Sequence, residues 1–127
     1  MYKKKHIIPI YDVEIQVIIN DTVTKCITED KFLNSMSSYF KNTDSFYGFF
    51  VSMHNDDNGN NNLYVMLTYD VKTKTVAHES FHLACWILDR AGVTLTTDSE
   101  EAYAYLIGHI VNTLENDLIK ANKKKDE

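Results

Sequence analysis

Apolar and polar positions alternate from Val13 to Ile19, with Val13, Ile15, Val17 and Ile19 separated by Glu14, Gln16 and Ile18. Period two sends successive side chains to opposite faces and marks a half-buried strand. Asn20-Asp21 is a turn signal, and the β-branched stretch Thr22 to Thr28 reads as a second strand pairing back as a hairpin. From Glu29 to Lys41 the period changes. Phe32, Leu33, Met36, Tyr39 and Phe40 recur every three or four residues, as in a short amphipathic helix. Phe46 to Met53 and Leu63 to Tyr69 are aromatic-rich strands. The polar run Asn55 to Asn62 between them offers many oxygen ligands, but it lacks the EF-hand offsets around Gly59 and reads as a hairpin loop. Val76 to Ala91 has neither proline nor glycine and forms a helix closed by Gly92. After a linker at Thr94 to Thr97, Thr97 or Asp98 caps a long helix from Ser99 to about Asn122.

These elements predict an α+β fold: a small, twisted, mainly antiparallel sheet of about four strands packed on two long helices. At 127 residues the chain fits a single domain spanning 1–127, with short polar tails at both ends. A formal charge of -5 disfavours a nucleic-acid-binding surface, and no apolar run approaches the roughly 18 residues of a membrane span. The basic start Lys3-Lys4-Lys5 mimics a signal peptide, but Pro9 and Asp12 break the apolar run that follows. Cys26 and Cys85 are too few for a disulfide framework, and Cys85 reads as a buried thiol. The expectation is a cytoplasmic protein with reduced cysteines.

The segment that carries chemistry is His78-Glu79-Ser80-Phe81-His82, an H-E-x-x-H motif within the first long helix. Residues four apart on a helix lie within roughly 40° of each other, so both imidazoles can reach one ion. Imidazole nitrogen suits Zn²⁺. Glu79, about 100° further round, is placed to take a proton from a metal-bound water. A shuffled chain of this composition gives such a match about once in a hundred tries. Val76, Ala77, Phe81, Leu83, Ala84, Trp86, Ile87 and Leu88 surround the motif, so the helix reads as buried almost all round. Histidines buried there would need partners, and a metal with its water would provide them.

A catalytic zinc takes a third protein ligand. Cys85 and Leu88 stand where the third-histidine class has glycine and histidine. The final helix opens Asp98-Ser99-Glu100-Glu101, and Glu100 and Glu101 compete for the role. Glu101 lies at the edge of an apolar stripe, beside small Ala104 and Gly108, which would let the two helices approach. Capping boxes, Thr97 with Glu100 or Asp98 with Glu101, are the structural alternative.

The motif helix, followed by Glu101-Ala102-Tyr103-Ala104 in E-x-x-A form, resembles the gluzincin branch of zinc metallopeptidases in a minimal version, from about Leu63 to Leu114. The resemblance implies a zincin-like core and Zn²⁺ held by His78, His82 and Glu101, with Glu79 as general base. It also implies a peptide or protein substrate laid along an edge strand, for which Leu63 to Tyr69 is the candidate. Tyr105, on the Glu101 face, is the candidate donor to a tetrahedral intermediate, and aromatic packing is its alternative. Tyr103 is a further candidate, and His109 reads as a surface residue. Asp89 reads as a hydrogen-bond partner of a ligand histidine or a salt partner of Arg90 or a lysine. Trp86 reads as core, and His6 and His54 receive no role. The competing reading is a non-catalytic, metal-stabilised interaction module. Against it stands Glu79, which a structural zinc does not require.

Overall fold

The computed structural model describes residues 1–55 and 59–127. Its strands are β1 (Tyr2–Ile8), β2 (Val13–Asn20), β3 (Gly48–Asn55) and β4 (Asn60–Thr68), and its longer helices are α1 (Val23–Glu29), α2 (Lys31–Ser35), α3 (Thr73–Arg90) and α4 (Glu100–Lys125). The strands form one sheet in the order β1-β2-β4-β3. β1 and β2 pair antiparallel, with Tyr2 opposite Ile19. β2 and β4 run parallel, with Val17 opposite Val65. β3 and β4 pair antiparallel, with Phe50 opposite Val65. The fold is α+β with a mixed, four-stranded sheet, and no helix of the described residues is long and apolar enough to cross a membrane.

The alternation in β2 and β4 sorts their side chains onto two covered faces. Ile15, Val17, Ile19, Leu63, Val65 and Leu67 meet α3 (Val76, Leu83, Ile87) and α4 (Tyr103, Ile110, Leu114) on one face. Ile18, Tyr64 and Met66 meet Val23, Cys26, Ile27 and Leu33 of α1 and α2 on the other. Leu63 to Leu67 is thus one unbroken apolar run because β4 is buried on both sides. That places β4 in the interior of the sheet and corrects its reading as a substrate-pairing edge. The edges are β1 and β3.

Three other expectations change. The stretch read as the return strand of a hairpin is α1. Thr22 caps it, its side chain accepting from the Lys25 amide at 3.0 Å, and Val23, Cys26 and Ile27 are buried at helical spacing. The helix expected from Glu29 to Lys41 is only α2, entered through Asp30, whose carboxylate accepts from the Leu33 amide at 2.9 Å. A 3-10 turn at Ser37–Tyr39 follows it. The N-terminal lysines are strand, not tail. β1 is an edge with charged outward positions, which discourages further pairing. Of the Asn55 to Asn62 loop, residues 56–58 lie outside those described.

β1 is held to α4 by a polar tie between residues more than a hundred positions apart. Asp117 is 1% exposed. One of its oxygens accepts from the Tyr2 hydroxyl at 2.8 Å, and the other lies 2.6 Å from His6 Nε2. Burial and the adjacent carboxylate push the Tyr2 hydroxyl up to about 12.

Candidate metal centre

α3 ends as its sequence dictates. Gly92 takes φ 79, its amide bonds Asp89 O at 3.0 Å, and the Val93 amide bonds Leu88 O at 2.8 Å. This is a Schellman closure, which requires the left-handed residue that glycine supplies. It turns the chain back along α3, so that Thr94 and Leu95 form one wall of a cleft of about 720 Å³. His78, Glu79, His82, Cys85 and Asp89 of α3 line it, facing Phe46, Gly48, Phe49 and Phe50.

The helix is amphipathic, not buried all round. Val76, Ser80, Leu83, Ala84, Ile87 and Leu88 face the core, whereas His78 and His82 open to the cleft and Phe81 is 42% exposed. The histidines therefore do not need a metal to satisfy burial. Their convergence is the informative feature. His78 Nε2 and His82 Nε2 are 3.1 Å apart, with ring centroids 4.7 Å apart. Two nitrogens on one tetrahedral zinc, at the usual bond lengths, are about 3.3 Å apart. The two nitrogens are within hydrogen-bond distance of each other, at a separation close to that of two ligands on one ion.

Glu79 is the buried member of the motif, 8% exposed. Its Oε1 accepts from the Phe50 amide at 2.9 Å, and its Oε2 lies 3.7 Å from His78 Nε2. β3 is an edge strand, so the Phe50 N–H has no strand partner and is available to the carboxylate. Gly48 makes this approach feasible. A Cβ there would sit 2.8 Å from Thr75 Cγ2 and 3.3 Å from Glu79 Cγ. Neither Gly48 nor the Phe50 amide is legible as functional from the sequence, because each acts through backbone.

The other expected residues are not brought to the histidines. Glu101 and Tyr105 line a separate cavity of about 350 Å³ beside Ile8, Pro9, Ile10 and Tyr11. The reason is helical phase. Tyr103, Leu106 and Ile110 turn α4 toward the core, and Glu101, two residues before Tyr103, lies about 200° round from it. Tyr105 is 79% exposed and contributes no donor to the cleft. Glu100 is exposed and lines neither cavity, and Ser99 occupies the N-cap in place of Thr97 or Asp98. Among the described residues, no group of three His, Cys, Asp or Glu is placed to hold a metal.

From α4 it is Tyr103 that reaches the cleft, and its hydroxyl donates to Val93 O at 2.6 Å. Desolvation, with Cys85 and Asp89 nearby, raises its pKa. Cys85 is half-buried at the cleft wall, and burial raises its thiol pKa. Trp86 is half-buried and lines the cleft as well. Asp89 was legible as one turn-pair past His82 on the same helical face, and the structure brings it into the cleft.

No family model, curated protein or solved structure matches the chain.

Proposed function

We propose that the protein is a zinc-dependent peptidase with a minimal zincin-like core, in which His78 and His82 hold the ion and Glu79 moves the proton. The observation that carries this reading is the 3.1 Å approach of the two Nε2 atoms beside a carboxylate anchored elsewhere. A bound zinc would supply a polarised carbonyl and a water acidic enough to deprotonate near neutral pH. Glu79 keeps Oε1 on the Phe50 amide and leaves Oε2, on the His78 side, to accept that proton and return it to the leaving amine. The outer edge of β3 offers backbone groups to an extended peptide, and the phenylalanines beside it supply apolar wall.

The rival reading is a metal-stabilised interaction module. Glu101 does not complete the ligand set, so the two histidines fall one short of the three protein ligands of a catalytic zinc and two short of the four of a structural one. Metal analysis and cleavage of a peptide library separate the two. The peptidase reading expects close to one zinc per chain, lost in His78→Ala, and cleavage abolished in Glu79→Gln with the metal retained. Zinc without cleavage by wild type supports the module. A chain that takes up no zinc sinks both.

A further inference from the structure

We propose that Asp89 makes the cleft selective for peptides bearing an arginine or lysine side chain; the role of such peptides as substrates rests on the peptidase reading, but their recognition does not. Asp89 follows His82 by seven residues, about 10 Å along the helix, on the stripe that carries His78, His82 and Cys85. Its expected salt partner is engaged elsewhere, for the Arg90 guanidinium lies 4.6 Å above the Trp86 ring. Among the described residues Asp89 has no ion pair, and no lysine or arginine lines the cleft. The other carboxylate, Glu79, is buried with one oxygen on the Phe50 amide, whereas Asp89 is exposed to the cleft.

The cleft therefore presents an uncompensated negative charge at one end of a wall built from Phe46, Phe49, Phe50, Trp86 and Leu95. Lysine and arginine have the matching shape, an apolar stem with a cationic tip. The stem lies along aromatic surface while the tip makes a charge-assisted bond to the carboxylate. A peptide extended past the histidines advances roughly 3.3 Å per residue, so a basic side chain one or two positions from the scissile bond can reach Asp89.

Trp86 is the only tryptophan of the chain and lines the cleft, so its fluorescence reports occupancy without turnover. The test titrates the full chain, with and without added zinc, with acetyl-Leu-Arg-Leu-amide and with the same peptide carrying neutral citrulline for arginine. The arginine peptide is expected to bind about tenfold tighter, with the gap narrowing at high salt. Asp89→Asn should bind both peptides equally, and Asp89→Glu should keep most of the preference. Equal affinities in wild type, no fluorescence response to the arginine peptide, or a preference that survives in Asp89→Asn each overturns the proposal. Failure of the peptidase reading shows separately, as missing zinc or missing cleavage, and leaves the titration readable.

Discussion

Replacing Gly48 by alanine adds one methyl at the seam between β3 and α3. In a strand interior that exchange ordinarily gains about 0.5–1 kcal/mol, because glycine loses more backbone entropy on folding. Here the new Cβ would meet Thr75 Cγ2 at 2.8 Å, Leu67 Cδ2 at 3.2 Å and Glu79 Cγ at 3.3 Å. The first distance is below any real carbon contact, and both Thr75 and Glu79 belong to a helix packed on the sheet, so either the Thr75 side chain or the strand must shift. Overpacking of this kind costs about 1–3 kcal/mol. Moving β3 outward also lengthens the bond from the Phe50 amide to Glu79, and a hydrogen bond to a charged group contributes about 1.5–3 kcal/mol. With the hydrogen bond weakened rather than lost and the entropic gain subtracted, the expected net loss is about 2 kcal/mol, or roughly 7 °C in Tm for a chain of this size. Urea and thermal unfolding followed by circular dichroism measure it. Thr75→Ser removes Cγ2 and keeps the hydroxyl, so the double variant Gly48→Ala/Thr75→Ser should regain part of the loss as a coupling energy. A Gly48→Ala protein as stable as wild type, or a double variant with strictly additive losses, would refute the argument that this glycine sets the helix–strand spacing.

Two further outcomes follow from the structure. Asp117→Ala leaves the Tyr2 hydroxyl and His6 without their shared acceptor and should cost about 3 kcal/mol in urea unfolding, with hydrogen exchange accelerating first at the β1 amides. Burial pushes both the Cys26 thiol and the Tyr64 hydroxyl up to about 12, from ordinary values of 9.0 and 10.0. The folded state therefore binds these protons more tightly than the unfolded chain. The stability they contribute is complete below about pH 9 and is lost as pH rises toward 12. Urea midpoints measured from pH 8 to 11.5 should fall, and Cys26→Ala should flatten the part of the fall that begins near pH 9.

β2, β3, β4 and the long helices were legible because their apolar spacing is their cause, whereas β1, with its Lys3-Lys4-Lys5 run, carries no such alternation and was not. β2 and β4 announce themselves by alternation and by an unbroken core run, and Gly92 marks the end of α3. α1 was misread because Val23, Thr24, Ile27 and Thr28 favour strands by their branching, while the Thr22 cap and the spacing of Val23, Cys26 and Ile27 decide for helix. Strand order was not legible. The parallel pairing of β2 with β4 depends on where α1 and α2 return the chain, and it is this pairing that moves the free edge to β3. At the site, the H-E-x-x-H spacing puts His78, Glu79 and His82 on one wall of the cleft, because one helix carries all three. Glu101 depends on the phase of a second helix, set by where Tyr103 and Leu106 bury, and spacing along the chain carries no information about that.

Within the motif, the division of labour is by burial. The two histidines face open cleft, so their positions are set by one helix and they can turn to suit an ion. Glu79 sits on the core side of the same turn and is fixed by a backbone amide of a different element. A base held from outside its own helix keeps its place whether or not the histidines are occupied. A base held only by the ion's water would lose its orientation each time the water left. On the peptidase reading, this explains how so small a set of elements can keep a general base aimed. The edge strand that would receive the substrate is also the element that anchors Glu79. A peptide added to β3 must leave the Phe50 amide to Glu79 and bond the edge on either side of it. Substrate placement and base placement are then one geometric condition. Replacing single carbonyl oxygens of a cleaved substrate by sulfur, a weaker acceptor, would map it: the change is tolerated at the carbonyl opposite the Phe50 amide, which Glu79 already occupies, and weakens binding at the carbonyls that accept from the other outward amides of β3.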